Sequence, residues 1–150
     1  MIDCNAIIDN FIKNLRDDSH LNDGIPEEIQ IYKGVRRMEN LSDNFSLFVY
    51  RDSIADTMPE LGKQQYHTVI NLHCVCISRW PYDPEQLEEY TNNFASNILN
   101  HIFTNFKKDG ENGWNTAIHT GSEAVSIRDA NEQVWEMEVV KVALSIFNCT

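Results

Sequence analysis

Basic residues are scarce. The 150-residue chain has 12 Lys and Arg against 23 Asp and Glu, a net charge of −11. Binding to nucleic acid draws its affinity from cations that displace phosphate counterions. The few here are scattered along the sequence, so sequence-specific nucleic-acid binding is not expected. Long apolar runs are missing too. No window holds the roughly eighteen apolar residues that a membrane-spanning helix needs. Met1-Ile2-Asp3-Cys4-Asn5 lacks the basic start and apolar run of a secretory leader, so synthesis in the cytoplasm is expected. Glycine and proline number only six and four and form no linker, so residues 1–150 are read as one domain. Cysteine is limited to Cys4, Cys74, Cys76 and Cys149. Cys74 and Cys76 stand two apart in an apolar run, on one face of a strand, which is not a disulfide framework. All four are expected to be reduced.

Recognisable site chemistry is equally thin. His73 alternates to the strand face opposite Cys74 and Cys76, and no second CxxC or HxxxH completes four ligands, so no metal is expected. His67 and His73 share a face but stand roughly 20 Å apart at strand rise. Glu27-Glu28 and Glu88-Glu89 are adjacent pairs without the cross-cleft separation of glycosidic acids. Glu136 and Glu138 share a strand face inside an apolar stretch, and a polar face is the simplest reading. Gly110-Glu111-Asn112-Gly113 and Gly121-Ser122 are too sparse for a phosphate loop. Ser46, Ser78 and Ser145 lie in strands without a nucleophile elbow. The expectation is no enzyme and no cofactor.

What is present is periodic. Asp3 can cap a helix in which Cys4, Ile7, Ile8, Phe11, Ile12 and Leu15 fall at helical spacing. Asn22-Asp23-Gly24-Ile25-Pro26 reads as a turn. Glu28–Val35 alternates as a short strand, read as an edge, and Phe45–Tyr50 as a stronger one. Asp52–Lys63 holds Pro59 and Gly62 and reads as an exposed loop. Tyr66–Trp80 is the longest strand signal. Its face of Tyr66, Thr68, Ile70, Leu72, Cys74 and Cys76 should meet the core, and the mixed face of His67 to Ile77 is free for a partner.

A second helix is expected from Asp83 or Pro84 to about Phe106, with Leu87, Tyr90, Phe94, Ile98, Leu99, Ile102 and Phe106 as its apolar stripe. Trp114–Thr120 and Glu123–Arg128 read as two weak strands, and Gln133–Phe147 as a last one with a bulge at Val139-Val140. This order gives an α+β fold: a mostly antiparallel sheet with two amphipathic helices on one face. Apolar residues at 42% supply its core.

The candidate functional residues are protein contacts. Trp80, Tyr82, Trp114 and Trp135 flank strands, and tryptophan and tyrosine favour interfaces. Arg36, Arg37, Met38, Leu41, Arg51, Ile54 and Met58 place arginines among apolar residues in the two long connections.

The organisation resembles the tail terminators and related head-to-tail joining proteins of tailed bacteriophages. The resemblance covers most of the chain: helix Cys4–Leu15, strands with a long loop, strand Tyr66–Arg79, helix Pro84–Phe106, and closing strands through Phe147. It implies a non-catalytic virion protein, a homo-hexameric ring at the head-proximal end of the tail. Such a ring stops the tail tube, joins it to neck or connector proteins, and lets DNA pass through its lumen without sequence-specific binding. The chain's acidity suits that passage, because carboxylates repel phosphate. A neck or tail-completion protein is the related alternative. A small acidic enzyme or ligand-binding domain is the alternative from another class.

Overall fold

Asp3 caps the first helix, α1 (Cys4–Arg16), accepting a hydrogen bond from the Ala6 N–H at 3.1 Å. The computed structural model describes residues 2–36, 43–57, 65–79, 82–128 and 134–149, without the side chains of 55–57, 65–66, 127–128 and 148–149. After α1 come β1 (Gln30–Lys33), β2 (Phe45–Thr57), β3 (Gln65–Arg79), α2 (Pro84–Thr104), β4 (Thr116–Arg128) and β5 (Val134–Cys149). The strands form one sheet in the order β1-β2-β3-β5-β4. Only β1 against β2 is parallel; the other pairs are antiparallel. The fold is α+β, as expected, with a mostly antiparallel sheet. No described helix is long and apolar enough to cross a membrane.

Both helices lie on one face because both present a single apolar stripe. α1 buries Ile7, Ile8, Phe11, Ile12 and Leu15, and α2 buries Leu87, Phe94, Ile98 and Ile102. The residues of α1 together with Phe94, Ile98 and Ile102 meet Ile70, Leu72, Cys74 and Cys76 of β3 and Val140, Val142 and Leu144 of β5 in one cluster. This is the face of β3 expected to meet the core. α2 begins with a capping box: Asp83 accepts from the Gln86 N–H while Gln86 accepts from the Asp83 N–H.

Two expectations about the strands are corrected. β2 does not end at Tyr50 with a loop from Asp52. It continues to Thr57, paired with β3 as far as His67. A bulge between Arg51 and Ser53 breaks the alternation and disguises the continuation. Likewise Thr116–Arg128 is one strand, and the irregularity lies between His119 and Gly121 of β4. The bulge expected at Val139-Val140 is absent, since Val75↔Val139 and Cys74↔Val140 follow in continuous register. Both valines are apolar because both faces of β5 are apolar there.

The α2–β4 connection seats Trp114. Its indole is 2% exposed, and Nε1 donates to the Asn105 carbonyl at 3.0 Å. Its backbone exchanges two hydrogen bonds with Lys108, at 3.0 and 3.1 Å. Gly113 permits this approach, because a Cβ there would stand 2.0 Å from the Lys108 carbonyl oxygen.

Candidate protein interface

The second face of the sheet carries no helix among the described residues. A free face of an antiparallel sheet ordinarily alternates to polar side chains. Here the strand period places an apolar group among the polar ones. Phe48 of β2, Val75 and Ile77 of β3 and Trp135 of β5 are buried on it, ringed by half-buried Tyr32, Tyr50, Met137 and Val139. Tyr32 meets Phe48 edge-on at 5.9 Å between ring centres, and the Arg79 guanidinium lies 5.4 Å over the Trp135 ring. Both ends of the β1–β2 connection settle on Tyr32. Arg36 stands 5.6 Å over its ring, and its hydroxyl donates to Asp43 at 2.5 Å. That hydrogen bond, with burial and the Asp43 charge, raises the Tyr32 hydroxyl above its ordinary range.

Further along the same face, Tyr50 packs edge-on against His73, with its hydroxyl 3.1 Å from Nδ1. Burial raises the Tyr50 hydroxyl, Asp52 adds to that, and Lys141 opposes it. The Asp52 carboxylate stands 3.8 Å from His73 Nε2, too far to hydrogen-bond and orient the ring. The cluster is a polar seam in an apolar face rather than a relay. Beyond it His67 stacks on Phe147, ring centres 4.5 Å apart, and Phe147 is 53% exposed. On β4 the same face shows Ile118 at 55% and Val125 at 42% exposure. Exposed apolar side chains gathered on one face are what protein partners cover.

The expected contact residues divide sharply. Arg37, Met38, Leu41, Met58 and Trp80 lie outside the described residues. Arg36, Arg51 and Ile54 are exposed. Trp135 sits on the uncovered face, but with 6% exposure it supports the patch from below rather than forming its outer contact. Trp114 is corrected outright, since it belongs to the helix-side core and meets Phe11 at 5.6 Å. Tyr82 is half-buried on the helix side, packed on Phe45 and Tyr90, and its hydroxyl donates to Glu27. Holding the proton for that acceptor pushes the Tyr82 hydroxyl up to about 12 and lowers the Glu27 carboxyl. The sequence marked large aromatics; it carried no sign of which face each would take.

One buried polar pair escaped the sequence reading. His101 lies on the apolar stripe of α2, 2% exposed, with Nδ1 2.6 Å from Asp18 Oδ2. Phe11 packs edge-on against its ring. The pair lines a cavity of about 450 Å³ with Asn14, Asn97 and Asn105. His101 Nε2 and Asn14 Oδ1 are buried without hydrogen-bond partners. Burial raises the Asp18 carboxyl, but the His20 N–H and His101 outweigh it, and the net shift is downward. No thiol joins this site. Cys74 and Cys76 are in the core, where burial lifts Cys74 to about 12 and Cys76 well above the ordinary thiol range. Cys4 is unpaired and half-buried.

Glu136 and Glu138 point to the helix side of β5, where they line a groove of about 340 Å³ with Glu88. The Ser126 hydroxyl donates to Glu136 at 2.7 Å. Among the described residues no group of three or more His, Cys, Asp or Glu is arranged to hold a metal ion. No protein-family model matches the chain, and no curated protein matches it by sequence.

Proposed function

We propose that this chain is a structural virion protein of a tailed phage. It forms a ring at the head-proximal end of the tail, terminates the tube and joins it to the neck. The observation that carries the reading is the set of exposed apolar side chains on the helix-free sheet face, Ile118, Val125 and Phe147, beside the buried cluster of Phe48, Val75, Ile77 and Trp135. Exposed apolar side chains gathered on one face mark a surface that a protein partner covers. The acidity supports the same reading. Six copies at −11 each carry −66, and that field would keep passing DNA from adhering to the ring. A role in the neck or in completing the tail would use the same face.

The test is tube length. Tail-tube protein from the same phage is polymerised with and without this chain, and lengths are read by electron microscopy. The reading predicts that tubes stop short in its presence. It predicts that Val139→Asp, on the uncovered face, abolishes the effect while Phe103→Asp, at the exposed end of α2, retains it. Tubes of unchanged length with the wild-type chain bound nowhere would contradict it.

A further inference from the structure

Among the described residues the sheet has two strand edges with no strand beyond them. On one side β4 is the last strand, with no described partner beyond it for Thr116–Arg128 except that the Ala117 N–H donates to the Phe106 carbonyl at 2.7 Å. On the other side β1 is too short to cover β2. It pairs only with Ser46–Val49, and Gly34 adds one bond to the Val49 carbonyl. Arg51–Thr57 therefore pairs with β3 on one side and with no described strand on the other. An exposed strand edge is a row of unsatisfied N–H and C=O groups and a template for another chain.

We propose that copies of this chain join edge to edge, β4 of one against Arg51–Thr57 of β2 in the next, so that one sheet runs across the seam. Three observations select this occupant. The first is direction. β2 runs antiparallel to β3, β3 to β5, and β5 to β4, so β2 and β4 themselves run in opposite directions. A rotation that carries one copy to the next preserves each strand's sense around the axis. β4 then meets the next β2 antiparallel, in a head-to-tail contact that closes into a ring.

The second is charge. β4 carries Glu123 and Arg128 as its only formal charges, which cancel, and Arg51–Thr57 carries one Arg against two Asp. In a chain of net −11 these edges are close to neutral, so like charge opposes their approach little. The common blunting residues of edge strands, lysine and proline, occur in neither segment. The third is exposure. Ile118, Val125 and Ile54 are among the few exposed large apolar side chains, and all three lie on these two edges. Ile54 stands on the helix side and Ile118 and Val125 on the other, so a strand paired at each edge would flank them on both faces of the seam. The seam rests on the ring reading above and specifies how that ring is held.

The experiment blocks one edge at a time. Of two adjacent residues on an edge strand, one directs its N–H outward and one into the sheet. Proline at the outward one removes a docking donor without breaking the internal ladder. The variants are therefore made in neighbouring pairs, Ser122→Pro and Glu123→Pro on β4, Ile54→Pro and Ala55→Pro on β2. Thermal melts identify the folded member of each pair. Native mass is then measured for wild type, for each folded variant, and for their equimolar mixture. Salt of about 1 M shortens the Debye length to about 3 Å and suppresses like-charge repulsion.

The expected result is an oligomer for wild type, a monomer for each variant alone, and a two-copy complex in the mixture, because only one seam can then form. Three outcomes overturn the seam: a monomeric wild type, variants that assemble as wild type does, or a β2-blocked variant that dimerises alone through β4 against β4. Tube shortening by edge-blocked variants at wild-type efficiency would remove the seam and leave the terminator reading standing. Loss of tube binding by wild type would remove the terminator reading whatever the solution masses.

Discussion

His101 Nδ1 lies 2.6 Å from Asp18 Oδ2, and the side chains are 1% and 17% exposed, so a charge-assisted hydrogen bond is shut between α2 and the segment after α1. Asp18 is also held by its neighbours, accepting from the His20 N–H at 2.9 Å. The pair joins positions 83 apart in sequence and fixes the two helices relative to each other.

Removing the carboxylate charge should therefore destabilise the fold. Asp18→Asn leaves a buried histidine with a poorer acceptor, and a loss of about 1–3 kcal/mol is expected from urea melts. The sign with pH follows from the lowered Asp18 carboxyl. A group whose folded pKa lies below its unfolded value of about 3.9 adds stability above that value and loses it as pH falls through the folded one. The gap between wild type and Asp18→Asn should be full near neutral pH and close in the acid range below about pH 4. Equal stability at neutral pH would show the pair to be idle.

The helix-side core makes a second expectation. Phe94 and Ile98 are both 0% exposed and pack in the cluster of Ile70, Leu72 and Cys74. Phe94→Ala should cost about 3–5 kcal/mol and Ile98→Ala about 2–5 kcal/mol. Denaturant melts at a protein concentration that holds the oligomeric state fixed are the measurement. Wild-type midpoints in both would contradict the packing.

Thiol chemistry gives a third. Cys74 and Cys76 are fully buried, with pKa values raised by that burial. Alkylation of native protein near pH 8, followed by mass mapping, should leave both unmodified until denaturant is added. Cys4, half-buried at the start of α1, should react first of these three. Early modification of Cys76 would mean that β3 is not closed under the helices.

These expectations separate what was legible in the sequence from what was not. α1, α2 and the core face of β3 were readable because the apolar residues of each recur at the period of the element along the face that meets the core. β2 beyond Tyr50 was not. Arg51, Asp52 and Ser53 are exposed, and the bulge there shifts the phase of Ile54. β4 was split at Gly121-Ser122 because glycine beside serine mimics a turn, whereas here it marks a bulge within one strand. His101 left no trace, since its partner is set by tertiary packing and not by spacing. The interface was half legible. Alternation gave β3 two usable faces, but the apolar cluster on the second draws Phe48 and Trp135 from other strands, and no local pattern joins them.

Averaged images of tail-tube ends incubated with the wild-type chain test the central claim most directly. The proposal predicts density of one closed ring of identical copies, six by the resemblance, at the head-proximal end only, with the acidic surface toward the opening. Tube ends bare of the chain across a range of salt, or the chain bound without rotational symmetry, would contradict it.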